Sequence, residues 1–350
     1  MPDTLTKLAY QTFQQGKSLF GLTHKTVSAQ LLQMVSPPKA VQSKPLDPDL
    51  LKLIYGRMEK LLEIDWQDAE AGVYPKEILF DNPWDDFFRY YPLMCLDTPG
   101  IWERANNREY HRFDPDIDTS GYPKYYLQNF HHQTNGYLSD LSANLYDLQV
   151  EILFNGTADA MRRRILAPLK QGFMAISPSG SGKVLDIACG TGRTLSMVRE
   201  TLPKASLYGV DLSPAYLRKA NQTLSQKPSV LPQLVHANAE SLPFVDNYFE
   251  ATVSVFLFHE LPAPARQNVI NEAFRVTQPG GTFVICDSIQ VSDSPELRVT
   301  MENFPALFHE PYYRHYMTDD LNARLSEAGF ENITNQVHFM SKYWICRKPA

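Results

Sequence analysis

The sequence is short of cysteine, of basic charge and of long apolar runs. Its 350 residues contain four cysteines, none of which forms a CxxC pair: Cys95, Cys189, Cys286 and Cys346. This spacing argues against a disulfide framework and against a zinc site, and it fits a protein of the reducing cytoplasm.

Apolar stretches are also short, as in residues 253–258. A membrane-spanning helix needs about 20 predominantly apolar residues, so the sequence predicts no transmembrane segment. The start, Met1-Pro2-Asp3, lacks the basic and then apolar plan of a signal peptide. We therefore expect a cytoplasmic protein.

Basic residues are outnumbered, with 33 Lys and Arg against 39 Asp and Glu, and the formal net charge is -6. Nucleic acids and anionic membranes favour a basic partner surface, so we do not expect a nucleic-acid partner. The short run Arg162-Arg163-Arg164 is typical of a solvated helix face. A small-molecule partner remains compatible with this charge.

The C-terminal half has the texture of a parallel α/β sheet. From Lys183 onward, short β-branched runs alternate with helical stretches, which is typical of βαβ units. Strands are predicted at 184–187, 206–210, 234–236, 250–258 and 281–286, with a closing hairpin at 331–338 and 342–346. Together they predict a Rossmann-like, doubly wound, mostly parallel sheet of seven strands with helices on both faces.

The N-terminal half reads as a mainly helical extension. Apolar residues recur at helical spacing in residues 50–62, and helices are also predicted in 10–34 and 137–167. Residues 80–92 and 111–135 are rich in aromatic or turn-forming residues and are predicted to be irregular. A chain of this length favours two domains, which we place at 1–170 (the extension, a candidate substrate lid) and 171–350.

Residues 184–193, VLDIACGTGR, carry the clearest ligand-binding signal. A buried strand runs into a glycine turn, where Gly190 and Gly192 let the backbone approach a ligand closely. The dinucleotide pattern GxGxxG needs a third glycine, but position 195 is Leu. Asp186 at the strand end would repel a diphosphate and would suit a ligand with an ammonium group.

Two later strand ends extend this predicted site. Asp211, 25 residues after Asp186, stands where a carboxylate accepts hydrogen bonds from ribose hydroxyls. The alternative is that Asp211 caps the helix that begins near Pro214. After the third strand, Asn238 is placed to meet an adenine amino group, and the Ala239 backbone a ring nitrogen.

These segments resemble the successive motifs of class I S-adenosylmethionine (SAM)-dependent methyltransferases: VLDIACGTGR, YGVDLS, ANAESLPF, EATVSVFLFHEL and EAFRVTQPGGTFVICD. The branch they most resemble includes quinone-biosynthesis C-methyltransferases and small-molecule O- and N-methyltransferases. The resemblance covers about residues 180–290 and implies SAM as cofactor. It also implies the residues that line the SAM pocket: Asp186, Ala188, Gly190, Gly192, Asp211, Leu212, Asn238, Ala239 and Phe256.

Methyl transfer asks mainly for placement, because the sulfonium is already activated. A base is needed only if the nucleophile must lose a proton. His259, just past the fourth strand, is a candidate base or orienting group, and the alternative is a histidine bonded to a loop carbonyl. His131 and His132, in a predicted loop, are candidates for contact with the substrate, and the alternative is a surface loop.

A metal site could in principle draw on four histidines: His131, His132, His309 and His315. No paired spacing with carboxylates supports such a site, so we predict no metal.

The predicted function is methyl transfer from SAM to a small organic acceptor, with an aromatic or hydrophobic acceptor favoured by the aromatic-rich extension. Two alternatives are a non-catalytic SAM-fold binding protein and a methyltransferase acting on protein or RNA. The Asn-Pro-Pro-aromatic motif of many macromolecule-modifying relatives is absent, since the chain has FLFH at 256–259. The motifs determine neither the acceptor, nor the atom methylated, nor the oligomeric state.

Overall fold

A computed structural model describes residues 3–35, 44, 46–82 and 84–350. Met1 and Pro2, which entered the signal-peptide argument, lie outside these residues. Six helices of the described chain precede the first strand: α1 (Thr4–Val35), α2 (Pro48–Glu70), α3 (Trp84–Asn107), α4 (Asp140–Leu153), α5 (Ala158–Arg163) and α6 (Leu166–Ile176). Within the described ranges, none of the helices is both long and apolar enough to cross a bilayer.

The rest of the described chain alternates strands and helices: β1 (Lys183–Ile187), α7 (Arg193–Thr201), β2 (Ser206–Asp211), α8 (Pro214–Leu224), β3 (Gln233–His236), β4 (Phe249–Val255), α9 (Ala263–Val276), β5 (Thr277–Ser288), α10 (Arg298–Leu307), α11 (Tyr313–Tyr316), α12 (Leu321–Ala328), β6 (Glu331–His338) and β7 (Ser341–Arg347). The seven strands form one sheet in the order β3-β2-β1-β4-β5-β7-β6. Strands β1 to β5 pair in parallel, and β7 is antiparallel to both β5 and β6. The predicted doubly wound, mostly parallel sheet is confirmed.

The strand order reverses direction at β1, which has β2 on one side and β4 on the other. In open parallel sheets, ligands bind at such a switch point, outside the carboxyl ends of the strands. The sequence accounts for the burial of this centre, because Val184, Leu185 and Ile187 of β1 are fully buried and parallel strands are covered on both faces.

The extension packs directly on the sheet. Tyr10 of α1 and Trp66 of α2 belong to the same buried cluster as Val184 of β1. Helix α6 lies so close to β5 that a Cβ on Gly172 would overlap the side chain of Thr282. The predicted boundary between residues 170 and 171 falls inside α6, and the division into two domains stays a prediction.

Two predictions of secondary structure were wrong. Residues 84–92 are not irregular but begin α3, which keeps Pro92 and Pro99 inside the helix. The fourth strand does not continue to residue 258: it ends at Val255, Phe256 follows with φ 60°, and residues 258–260 form a 3-10 turn. The apolar pattern extended the strand too far because it continues through the turn.

The arginine run is not a solvated face, and that prediction was also wrong. Arg163 is 1% exposed, and its Nη2 lies 2.6 Å from Oδ2 of Asp65. Tyr10 and Tyr74 donate hydrogen bonds to the same carboxylate, at 2.5 and 2.7 Å. A buried arginine needs paired carboxylates, and these come from α2, whose contribution the local charge pattern cannot reveal.

Candidate active site

The turn after β1 contains three residues in the left-handed backbone conformation, which residues other than glycine rarely adopt. Ala188, Gly190 and Gly192 have φ values of 60°, 54° and 76°. A Cβ on Gly190 would meet nothing closer than Tyr216 at 3.9 Å, whereas one on Gly192 would lie 3.1 Å from Ala220. Gly190 therefore serves the turn, while Gly192 allows α7 to approach α8.

Asp186 lies at the tip of β1 and is 1% exposed. Neither of its carboxylate oxygens has a hydrogen-bond partner. Burial raises the pKa of Asp186 well above its usual range, the nearby Asp211 adds to this, and Arg162 opposes it. A buried acceptor without a donor is costly, so a cationic or hydrogen-donating group brought to the tip of β1 would stabilise this carboxylate.

Asp211 ends β2 and joins two loops. Its Oδ2 accepts a hydrogen bond from the backbone N–H of Gly190 at 2.9 Å, and its Oδ1 accepts one from Ser213 at 2.8 Å. Burial raises the pKa of Asp211 to about 6, although both backbone N–H groups lower it. The cap of α8 is Ser213, whose Oγ accepts from Tyr216 N at 3.2 Å, so the capping alternative for Asp211 was wrong.

A cavity opens beside these groups at the carboxyl ends of β1, β2 and β4. Its lining includes seven of the nine residues predicted for the cofactor: Ala188, Gly190, Asp211, Leu212, Asn238, Ala239 and Phe256. Asp186 and Gly192 are not in the lining. Asp186 is buried at the tip of β1, and Gly192 faces α8.

Sequence reasoning missed the wall that the extension contributes to this cofactor pocket. The wall consists of five side chains from outside the sheet: Tyr125, Tyr126, Tyr137, Tyr146 and Arg162. Arg162 forms an ion pair with Asp159 at 3.1 Å and stacks over the ring of Phe256, 5.6 Å from its centroid. The only sequence signal for Arg162 was the arginine run, which pointed to solvent.

A second, apolar cavity of about 390 Å³ lies beyond the cofactor pocket. Its walls come from α1, α2 and α4 on one side and from α10 and β6–β7 on the other, with side chains such as Ile54, Met58, Phe304 and Phe308. The two cavities share Tyr146, Phe256 and Glu260. This size is in the range of small-molecule sites.

His259 lines the apolar cavity and is fixed by Asp287. Its Nδ1 lies 2.7 Å from Asp287 Oδ1, and Asp287 Oδ2 accepts the N–H of Phe258 at 2.7 Å. Burial opposes the imidazolium, but the carboxylate outweighs it and raises the pKa of His259 to about 9. The partner is therefore a carboxylate rather than a loop carbonyl, and the ring is a cation at neutral pH.

His131 also lines the apolar cavity, in a cluster with two glutamates. Its Nε2 lies 2.8 Å from Glu310 Oε1 and 3.5 Å from Glu260 Oε1, and Tyr137 donates a short hydrogen bond to Glu260. Burial opposes the charge, but the two carboxylates raise the pKa of His131 to about 10. Nothing in the local sequence connects residue 131 with residues 260 and 310.

His132 is placed elsewhere. It lines neither cavity and packs near Tyr110 and His309, with ring centroids 6.0 and 6.1 Å away. Its left-handed backbone, φ 58° after φ 53° at His131, turns the two rings apart. His131 therefore lines a cavity and His132 does not, and contact of either residue with a substrate stays a prediction.

The four histidines considered as a metal site do not gather, since His315 bonds to Arg266 and His309 stacks on Tyr110. Within the described ranges, only His131, Glu260 and Glu310 form a group of three possible metal ligands whose ligand atoms all lie within 4.8 Å of one another. The absence of a metal stays a prediction.

Comparison with known proteins agrees with this geometry. Residues 184–281 match a family described as "Methyltransferase domain". The ubiquinone/menaquinone biosynthesis C-methyltransferase UbiE of Desulfotalea psychrophila is 32% identical over 43% of this chain and 56% of its own length. The demethylmenaquinone methyltransferase of Lactiplantibacillus plantarum is 27% identical over 58% of this chain and 89% of its own.

Among solved structures, human N-acetylserotonin methyltransferase in complex with SAM aligns with a TM-score of 0.43 and 14% identity. The alignment covers 72% of this chain and 67% of the human protein. The chain spans little more than half the length of the Desulfotalea relative.

Proposed function

We propose that this chain, whose residues 184–281 match a methyltransferase family and lie in a doubly wound sheet, transfers a methyl group from SAM to a small, hydrophobic organic acceptor. The observation that carries the proposal is Asp186, a fully buried carboxylate without a partner at the tip of β1. The methionine part of SAM supplies an ammonium group that such a carboxylate would hold, whereas a dinucleotide would bring a diphosphate.

The other groups of the pocket match the remaining parts of SAM. Asp211 would accept hydrogen bonds from the ribose hydroxyls, and Asn238 with the Ala239 backbone would meet the adenine. Arg162 is the nearby cation suited to the carboxylate of the methionine part, because it lines the same pocket. Ala188, Leu212 and Phe256 would contribute backbone and apolar surface. SAM supplies the activated methyl group, and the protein supplies placement in a site that excludes water.

The apolar cavity supports a hydrophobic acceptor. It meets the cofactor pocket at Tyr146, Phe256 and Glu260, so an acceptor there would lie beside the methyl group. One relative is named for ubiquinone/menaquinone biosynthesis, and another is named as a demethylmenaquinone methyltransferase. Quinones are ring compounds. We extend this to an acceptor class of apolar ring compounds with a reactive polar end at Glu260.

The division of labour follows the two predicted regions. Residues 171–350 would bind SAM, and residues 1–170 would close the pocket and build one wall of the acceptor cavity. A cavity enclosed by the extension favours a small acceptor over protein or RNA, and so does the net charge of -6. The buried carboxylate of Asp186, which has no hydrogen-bond partner, favours a protein that still binds SAM over a non-catalytic protein of the same fold. We propose a cytoplasmic location.

The first experiment measures SAM binding by isothermal titration calorimetry to the wild type and to Asp186→Asn. The control is Asp116→Asn, the same chemical change at an exposed position. We expect strong loss of affinity in Asp186→Asn alone. Preferential binding of NADH over SAM by the wild type would overturn the assignment of the cofactor.

The second experiment identifies the acceptor class with methyl-labelled SAM. The protein and the labelled SAM are incubated in separate reactions with reduced naphthoquinols and apolar phenols, with total tRNA, and with an unfolded protein mixture, and label transfer is followed by mass spectrometry. Transfer to the ring compounds supports the proposal. Transfer to tRNA or protein alone would replace it with the macromolecule alternative.

A further inference from the structure

The junction of the two cavities contains more acidic than basic side chains. Three carboxylates (Glu260, Glu310 and Asp287) surround two imidazoles (His131 and His259). Glu260 lies between the two rings, with its Oε1 3.5 Å from His131 Nε2 and 3.9 Å from His259 Nε2. With every group charged, the set carries one negative charge in excess.

This excess charge is shielded from water. The side chains of Glu310 and Asp287 are 0% exposed, and that of Glu260 is 14% exposed. Oε2 of Glu310 has no hydrogen-bond partner, and its Oε1 is engaged only in the ion pair with His131. An uncompensated buried charge is costly, so the site favours either a bound proton or a cation supplied by a ligand.

The backbone at the cluster is strained and is held by contacts with the surrounding structure. His131 and His132 both have left-handed φ values, 53° and 58°, which are unfavourable for residues with a side chain. The N–H of His131 bonds to His309 O at 3.3 Å, which ties this turn to the segment that carries Glu310. The ring of His131 is therefore held at the two carboxylates.

Both histidines are paired with carboxylates that favour the protonated ring, so neither offers a free basic nitrogen for the acceptor's proton. Glu260 is the member of the set that lines both cavities, and the hydroxyl of Tyr137 donates to it. A carboxylate at this position faces the methyl donor on one side and the acceptor on the other.

We propose that Glu260 stabilises the positive charge of the methyl donor and then accepts the proton of the acceptor. The proposal rests on the function proposed above. In the step, the bond between the sulfonium sulfur and its methyl carbon breaks, and its electron pair stays on sulfur, which becomes a neutral thioether. The acceptor's X–H electron pair, or a lone pair on X, forms the new bond to the methyl carbon. The proton of X passes to a Glu260 oxygen.

The charges balance in this scheme. Before transfer, the sulfonium cation offsets the excess negative charge of the cluster, and afterwards the proton on Glu260 does so. The acceptor must therefore carry a hydrogen that it loses on methylation, as a phenolic hydroxyl or an activated ring C–H does. A tertiary amine or a thioether, which becomes a cation on methylation, is excluded as acceptor.

The test compares two ligands that differ by one methyl group and one charge, SAM and S-adenosylhomocysteine. Each is titrated calorimetrically into chelator-treated wild type, Glu260→Gln and the exposed control Glu327→Gln. We expect Glu260→Gln to lose on the order of tenfold in affinity for SAM and to keep its affinity for S-adenosylhomocysteine within about twofold. The control should change neither value.

Proton exchange gives a second measurement, made in buffers of different ionisation enthalpy. The wild type should release a proton when SAM binds and should release less when S-adenosylhomocysteine binds, and this difference should vanish in Glu260→Gln. The titratable groups that interact with Glu260 are four tyrosines (Tyr126, Tyr137, Tyr146 and Tyr216), two histidines (His131 and His259) and two carboxylates (Glu310 and Asp211).

Several results would overturn the inference without touching the proposed function. One is an equal loss of affinity for SAM and for S-adenosylhomocysteine in Glu260→Gln. Another is an equal release of protons when either ligand binds the wild type. A third is removal of the SAM preference by Mn²⁺ added back, since an ion would then supply the balancing charge. Binding of neither ligand to the wild type would defeat the proposed function itself. If Glu260→Gln does not fold, Glu310→Gln removes the same excess charge and should shift the SAM preference in the same direction.

Discussion

The two acidic regions of the site are built in opposite ways. At the tip of β1, Asp186 has no partner at all, and Asp211 is bonded only to backbone N–H groups. At the junction of the cavities, His131, His259 and their carboxylates are largely paired with one another. A ligand can therefore gain most from the first region, which is unsatisfied, while the second region is preorganised for a change of charge.

The largest effect of a substitution on stability is expected at the paired region, and its absence would contradict the comparison. Asp287→Asn leaves the buried His259 imidazolium without its carboxylate and should lower the free energy of unfolding by about 3–5 kcal/mol, measured by urea denaturation. NMR titration of the ring should show the pKa of His259 falling from about 9. An unchanged stability would mean that the pair contributes nothing.

This pairing also sets a pH dependence. The folded-state pKa of His259 lies above the unfolded value near 6.5, so its stabilising contribution is complete below about pH 6.5 and is lost as the pH rises toward 9. His131, with a pKa of about 10, extends the loss to higher pH. Wild-type stability should fall over this range, and the fall should be smaller in Asp287→Asn.

The next effect concerns the unpaired region and has the opposite sign for stability. Asp186→Asn should weaken SAM binding by about 100-fold, or about 2.7 kcal/mol, yet raise the melting temperature of the ligand-free protein. The raised pKa of Asp186 means that its ionised form disfavours folding above the unfolded-state pKa. Differential scanning calorimetry without ligand decides the second half, and a lowered melting temperature would contradict it.

A smaller effect separates the two glycines of the turn. Gly192→Ala should destabilise the protein by about 1–2 kcal/mol, because φ is 76° and the added Cβ would lie 3.1 Å from Ala220. The affinity of the folded protein for SAM should stay within about twofold, since Gly192 packs against α8. Thermal melts and calorimetry measure the two quantities, and a loss of affinity alone would return Gly192 to the binding site.

The smallest effect sharpens the comparison from within the paired region. Tyr137→Phe removes the hydroxyl that donates a hydrogen bond to Glu260 but removes no charge. The affinity for SAM should fall by only a few fold, corresponding to about 1 kcal/mol. A loss as large as that of Glu260→Gln, measured by the same calorimetric titration, would show that the hydroxyl and not the charge carries the preference.

The strand pattern predicted the sheet well because each strand is a short local run with its own turn. VLDI became β1, and the glycine turn after it was predicted together with Asp186 and Asp211, since these groups follow adjacent strands. Phe256 was predicted as a cofactor neighbour, but its φ of 60° at the end of β4 was not, because nothing in an apolar run signals a left-handed residue.

The junction could not be predicted in the same way. His131, Glu260 and Glu310 come from three segments separated by about 50 to 130 residues, and only the packing of the extension on the sheet brings them together. The same holds for Arg162, whose buried partners are fixed by tertiary structure. His259 was found because it follows a strand, but its partner Asp287 comes from the next strand and was passed over.

The packing of Tyr10 and Trp66 into the core beneath β1 bears on how the protein can be handled. Cutting the chain at residue 170 would uncover aromatic side chains and half of α6, so the catalytic half should aggregate when expressed alone. The intact protein should melt in one cooperative transition.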